Sequence, residues 1–189
     1  EAVLRDALAL FQPHAPHPWH AIAQSTGGAI LMDYLLLRSV PTFDKAVLLA
    51  PLVRAAEWRW IKTAHFIGRH FLQSVPRKFG INSSDPDFPE FLRRDPLQAV
   101  TIPVRWVEAM LRWERRLTQL PPSDRTILLV QGELDTTVDW RYNVPIVRQK
   151  FPHAKYLPLK SAHHHLANEA PAIREKIFAA LDLYLGGTR

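Results

Sequence analysis

The sequence contains no cysteine, so neither a disulfide framework nor a cysteine–zinc site is open to it. That absence fits a reducing compartment without establishing one. Glycine is scarce, at seven residues against sixteen prolines, which points to many fixed turns and few flexible linkers. No apolar run approaches the eighteen or so residues that a membrane-spanning helix requires. No block of five or more like charges occurs and no nucleic-acid motif is present, so no nucleic-acid partner is expected. No secretory pattern is visible in the first residues, although the chain opens inside an apparent helix.

What is present is the balance of a globular protein. The 189 residues are 47% apolar and 22% charged, enough for one ordinary domain with a sizeable core. The net charge is +6, and lysine and arginine are interleaved with tryptophan and leucine. That mixture suits a lipid interface better than a phosphate groove, and it equally describes a solvated basic surface. A cytoplasmic or membrane-peripheral location is favoured.

Periodicity divides the chain. Val3, Leu4, Ala7, Leu8 and Phe11 recur at helical spacing, and a proline- and histidine-rich loop follows from Gln12 to Pro18. Its histidines His14, His17 and His20 fit no helical metal-ligand spacing, and the prolines forbid a helix, so no metal is expected there. Trp19–Ala23 and Lys45–Ala50 read as buried strands, with a helix over Thr26–Arg38 between them. Thr126–Gln131 and Ala154–Leu157 read as further strands, and Trp140–Lys150 as a helix. A closing helix runs from Ala170 to Leu185 and ends at Gly186 and Gly187. Strands alternating with helices predict an α/β fold, a mostly parallel sheet flanked by helices. Residues 1–51 and 123–189 then form its core, and 52–122 a helical cap or lid insertion.

Three strings carry chemistry. Ala23-Gln24-Ser25-Thr26-Gly27-Gly28 lies between a predicted strand and a predicted helix, where a serine can project from a sharp turn above the sheet. Small residues two before and two after it leave room for close backbone. Alone, the string also fits a plain strand-to-helix turn. Leu128–Gln131 runs into Gly132, and Asp135 follows three residues later, at the carboxyl end of a strand. Ser161-Ala162-His163-His164-His165 comes just after the last predicted strand. The order serine, acid, histidine suits a nucleophile, its orienting carboxylate and its general base.

On these strings the sequence resembles the α/β-hydrolase superfamily, and within it the monoacylglycerol lipase and lysophospholipase-like branch. In that branch Asn-Glu commonly follows the histidine by four and five residues, so Asn168-Glu169 selects His164, with His163 and His165 as alternatives. The resemblance implies a serine esterase in which Ser25 attacks, His164 accepts its proton and Asp135 orients the imidazole. The backbone N–H of Thr26 would serve the oxyanion, and no metal or organic cofactor is implied. The strands that precede the elbow in this fold have no counterpart here, nor does the loop giving the second oxyanion donor. A longer parent protein is therefore expected.

Residues 52–122 hold twelve basic and seven acidic side chains, nearly the whole positive excess. They also hold four of the six tryptophans: Trp58, Trp60, Trp106 and Trp113. Such a cap would rest on an anionic bilayer and pass a lysophospholipid or monoacylglycerol to Ser25; ordinary cap helices with buried tryptophan and outward arginine read the same way. A rival is an aminopeptidase of the proline-iminopeptidase kind, which needs a cap carboxylate for the free amine; Glu90, Glu108 and Glu114 are the candidates. A further rival is a non-catalytic hydrolase-fold binding module. A dehalogenase is disfavoured because serine stands at the nucleophile position.

Overall fold

The computed structural model of the protein describes residues 2–11, 17–38, 42–77 and 80–186. His14 of the histidine-rich loop and Gly187 at the end of the last helix lie outside them. Helix α1 spans Ala2–Phe11, β1 His20–Gln24, α2 Thr26–Leu37 and β2 Lys45–Leu49. There follow α3 (Trp58–Gly68), β3 (Ser74–Pro76), α4 (Phe88–Arg94), β4 (Thr101–Pro103) and α5 (Val104–Gln119). The chain closes with β5 (Leu128–Gly132), α6 (Trp140–Lys150), β6 (Lys155–Leu159) and α7 (Pro171–Gly186).

Strands β1, β2, β5 and β6 pair in that order, all parallel. The central strands are apolar from Ala46 to Leu49 and from Leu128 to Val130 because both faces are covered there. On β2, Ala46 and Leu48 point to one side, with Leu129 of β5, Leu31 and Leu35 of α2, and Val147 of α6. Val47 and Leu49 point to the other, with Val130 of β5 and Ile177 and Leu181 of α7. Each valine, leucine or isoleucine among them, withdrawn from water, stabilises the fold by about 1.5–3 kcal/mol. Strand β6 runs to Leu159, past the expected Leu157, and includes Pro158. Among the described residues that strand pairs only with β5, so its far edge needs no N–H at the proline.

The stretch between β2 and β5 is the helical insertion expected, with a short ribbon added to it. Three helices are present, but β3 and β4 also pair antiparallel, with Val75 opposite Ile102. Pro76 and Pro103 interrupt helical bonding, and the β-branched pair suits a short ribbon. Ala29, Leu52, Trp58, Met110 and Val138 form a separate apolar cluster that seats this stretch against α2 and the loop before α6. Beside it, Glu114 accepts hydrogen bonds from Arg54 Nε and, at 2.9 Å, from Trp58 Nε1.

Two glycines respond oppositely to a methyl group. A Cβ on Gly132 would stand 2.3 Å from the carbonyl oxygens of both Ala162 and His163, whereas one on Gly27 would meet only the Ala23 Cβ, at 3.9 Å. The small residue two after Ser25 is therefore not required by backbone crowding. Gly28, one further on, is the tighter position, with Pro51 Cβ 3.0 Å from an added Cβ. Gly132→Ala is expected to cost about 1–3 kcal/mol by overpacking, and Gly27→Ala to be neutral or to stabilise by about 0.4–1 kcal/mol. Urea midpoints of the two variants, at unchanged m-value, check both.

Candidate active site

Ser25 follows β1 directly, with φ 52° and ψ −117°. An L-residue rarely adopts this conformation, and its cost is of order 1–3 kcal/mol. The turn persists because its backbone is tied on both sides. Ser25 N–H donates to the Leu49 carbonyl at 3.0 Å, and the Ser25 carbonyl accepts from Leu52 N at 3.0 Å and Ala29 N at 3.2 Å. These bonds fasten the turn to the end of β2 and to the first turn of α2, aiming the hydroxyl out over the carboxyl rim of the sheet.

The rim supplies the other groups. Asp135 lies three residues beyond β5, and His164 five beyond β6. His164 Nδ1 donates to Asp135 Oδ2 at 2.8 Å, and Ser25 Oγ stands 2.9 Å from His164 Nε2. A carboxylate only accepts, so the ring proton sits on Nδ1 and Nε2 is free to accept from the serine hydroxyl. Asp135 and His164 are 6% and 3% exposed. The structure thus brings Ser25, Asp135 and His164 into one hydrogen-bonded line, and Thr26 lines the same cavity. Of the alternatives, His163 directs its backbone N–H to the Glu169 carboxylate and His165 meets Gln24. Among the described residues, no cluster of three metal-ligating side chains is found.

Burial works against charge on Asp135, yet its pKa is lowered. The hydrogen bond and charge of His164 outweigh the desolvation, helped by the N–H groups of Val138 and Thr137 at 3.1 and 2.8 Å from Oδ1. Gln131 Nε2 adds a further bond to Oδ2 at 3.1 Å. Sequence reading gave Gln131 no role. The signal was there, as the one polar residue in an apolar strand, fully buried.

The sequence likewise marks Glu169 only by its spacing from His164. It is 0% exposed, and it accepts from the backbone N–H of His163 and from both the N–H and the hydroxyl of Ser84. Ser83 Oγ donates to the Asn168 carbonyl at 2.6 Å, and His165 N–H to the Asn82 carbonyl at 2.8 Å. The histidine loop is therefore stapled to residues 82–84 of the inserted stretch.

A cavity of about 500 Å³ opens over Ser25 and His164. Its lining includes the apolar Leu52, Ile61, Ile102, Pro103, Trp106 and Val138 and the polar Arg77, Asn82 and His165. Beyond Ile61, Ile102 and Trp106 lies an apolar recess of about 200 Å³ walled also by Leu72, Val75 and Met110.

A parallel sheet with a strained serine turn after one strand, and an acid and a histidine after two others, defines an α/β-hydrolase. The model of the family described as serine aminopeptidase, S33 matches residues 1–171, and the chain belongs to that family. Solved structures share the fold. A monoacylglycerol lipase of Paleococcus ferrophilus superposes with TM-score 0.73 at 18% identity, over 97% of this chain and 72% of that one. A soluble variant of monoglyceride lipase from Saccharomyces cerevisiae gives 0.78 at 14%, over 98% and 66%. Mouse alpha/beta hydrolase domain-containing protein 10 gives 0.61 at 16%, over 96% and 67%. No curated protein matches the chain in sequence.

His165 provides a pH signature. Burial, then repulsion from His164 and Arg77, lowers its pKa to about 4. Unfolded, the ring takes a proton below about pH 6.5, while the folded ring does not until about pH 4. Its contribution is complete above the unfolded value and declines as pH falls from about 6.5 to about 4. Asp135 acts in the same sense at lower pH, its contribution being lost as pH falls below the unfolded carboxylate pKa of about 3.9. His165→Phe is expected to flatten the pH dependence of the urea midpoint between about pH 6.5 and 4 relative to wild type.

Proposed function

We propose that the protein is a serine hydrolase that cleaves the carboxylic ester of a lipid-like substrate, a lysophospholipid or monoacylglycerol, through an acyl-enzyme. The observation that carries this reading is the continuous line from Ser25 Oγ through His164 to a buried, four-times hydrogen-bonded Asp135, at the floor of a cavity with an apolar annex. Ser25 attacks the ester carbonyl while His164 takes its proton, and Asp135 stabilises the resulting imidazolium. The Thr26 N–H, at the start of α2, donates to the developing oxyanion. His164 then returns the proton to the leaving alcohol and activates the water that releases the acid. Residues 52–122 act as the cap, since Ile61, Ile102 and Trp106 wall the space above Ser25.

The aminopeptidase reading draws on the family description, but the cap carboxylates it requires are engaged elsewhere. Glu90 pairs with Arg93 and Arg94 at 2.7 and 2.8 Å, Glu108 with His65 at 3.5 Å, and Glu114 with Arg54. None of the three lines the cavity over Ser25. A non-catalytic module is the remaining rival. A fluorophosphonate probe is expected to label the wild type and not Ser25→Ala, and Asp135→Asn is expected to lower kcat by about 10⁴. Absence of labelling in the full-length parent protein would overturn the hydrolase reading.

The cap is also the surface we assign to a membrane. On and just after α3, Trp60 and Phe71 are 74% and 86% exposed and Phe66 and Ile67 are exposed as well, in the same stretch as the exposed cations Arg59, Lys62 and Arg69. Among the described residues no helix is long and apolar enough to cross a bilayer, so such contact would be peripheral. Co-sedimentation with anionic phosphatidylserine vesicles, weakened by salt and by Trp60→Ser with Phe71→Ser, is the expected result; equal recovery with neutral vesicles alone would refute it.

A further inference from the structure

Asn143 stands one turn into α6, beyond the N-cap Asp139, and is fully buried. A buried amide has to use its donors and its acceptor, and this one uses them on a single loop. Its Oδ1 accepts from the Arg54 N–H at 2.9 Å, and its Nδ2 donates to the carbonyls of Pro51 and Arg54 at 3.2 and 3.0 Å. Chemistry orients the amide, since a backbone N–H only donates and a carbonyl only accepts. The gripped residues, 51–54, follow β2 and belong to no helix or strand. Among the described residues, the Pro51 carbonyl and the Arg54 N–H meet no backbone partner.

Leu52 lies between the gripped residues. Its N–H donates to the Ser25 carbonyl at 3.0 Å, and its own carbonyl accepts from Trp113 Nε1 of α5 at 3.1 Å. Asn143 fixes the residue before Leu52 and the second residue after it, which leaves this N–H little room to turn. The Ser25 carbonyl and the Thr26 N–H are the two ends of one peptide. That peptide is trans and planar, so its N–H points opposite to its carbonyl. Holding the carbonyl against Leu52 N–H, with Ala29 N–H at 3.2 Å, therefore sets the direction of the Thr26 N–H. Thr26 opens α2, where an N–H has no acceptor inside the helix, and Ser25 makes no side-chain cap bond.

We propose that Asn143 is a positioning residue for the oxyanion donor: it fixes residues 51–54, they hold the Ser25 carbonyl, and the Ser25–Thr26 peptide then presents its N–H at a set angle. Asn143 itself touches no reacting atom. A preorganised donor acts where charge develops in the transition state, so the effect falls on turnover and not on substrate binding. This assignment rests on the serine-hydrolase reading and adds to it a residue outside the hydrogen-bonded line.

The test compares the full-length parent protein with its Asn143→Asp and Asn143→Leu variants, below the melting transition of each. Asn143→Asp keeps the acceptor for Arg54 N–H and loses both donors; Asn143→Leu loses all three bonds. Each is expected to lower kcat on an acyl ester about tenfold, short of the hundredfold or more for outright loss of an oxyanion donor, with KM within about twofold. A trifluoromethyl ketone, whose adduct with Ser25 carries the oxyanion, is expected to bind more weakly by the same factor as kcat/KM falls. A merely stabilising residue lowers the melting temperature and leaves kcat and ketone affinity of the folded enzyme unaltered, and that outcome overturns the proposal. If neither variant folds, hydrogen exchange of the wild type decides. The Leu52 and Arg54 N–H groups are expected to exchange no faster than those of β2, and exchange at the rate of an open loop overturns the proposal. Wild-type labelling by the fluorophosphonate beside either negative result leaves the hydrolase reading standing; its absence removes both.

Discussion

Parallel pairing is the constraint on which the rest of this molecule depends. In an antiparallel sheet, neighbouring strands deliver their following loops to opposite ends. Here β1, β2, β5 and β6 all run one way, so the loops after them open onto a single rim. Ser25, Asp135 and His164 each stand within five residues of a strand's carboxyl end. Their separation along the chain, 110 and 29 residues, is cancelled by strand order. Covering both faces of the sheet is what makes this arrangement stable, and it also makes the strands easy to recognise as unbroken apolar runs.

Bringing loops to one rim does not by itself give hydrogen-bond geometry. The serine turn is held in a strained conformation by three backbone bonds to its surroundings. Asp135 is held from four sides, and its neighbours supply enough donors to keep a buried carboxylate ionised. The histidine loop lies directly over Gly132, where two carbonyl oxygens occupy the space of a missing Cβ. Thus the acid loop and the histidine loop are packed on each other as well as hydrogen-bonded.

The stretch between β2 and β5 contributes more than a cover. Its residues 82–84 are bonded to the histidine loop through Glu169, Asn168 and His165, so the wall of the cavity and the position of His164 belong to one structure. A shift of that stretch would be felt at the imidazole through a fully buried carboxylate, where a lost partner is expensive. The same stretch gives the cavity its two characters, lining it with apolar side chains from α3, β4 and α5 and with the polar Arg77 and Asn82.

Most of the fold, and the positions of Ser25, Asp135 and His164 at strand ends, were legible in the residues. Apolar period, turn-forming glycine and chain order are local properties, and they determined the strands, the elbow and the order of the three groups. The β3–β4 ribbon was not legible, because three-residue strands between prolines carry too little periodicity to be told from loop. Nor were the partners of Gln131, Glu169, Gln24 and His165, whose bonds join residues 4, 85, 141 and 83 positions apart. A side chain's type states what it can donate or accept, and that much the sequence determined. Which group it meets depends on how loops from different strands pack, and only the tertiary structure decided that.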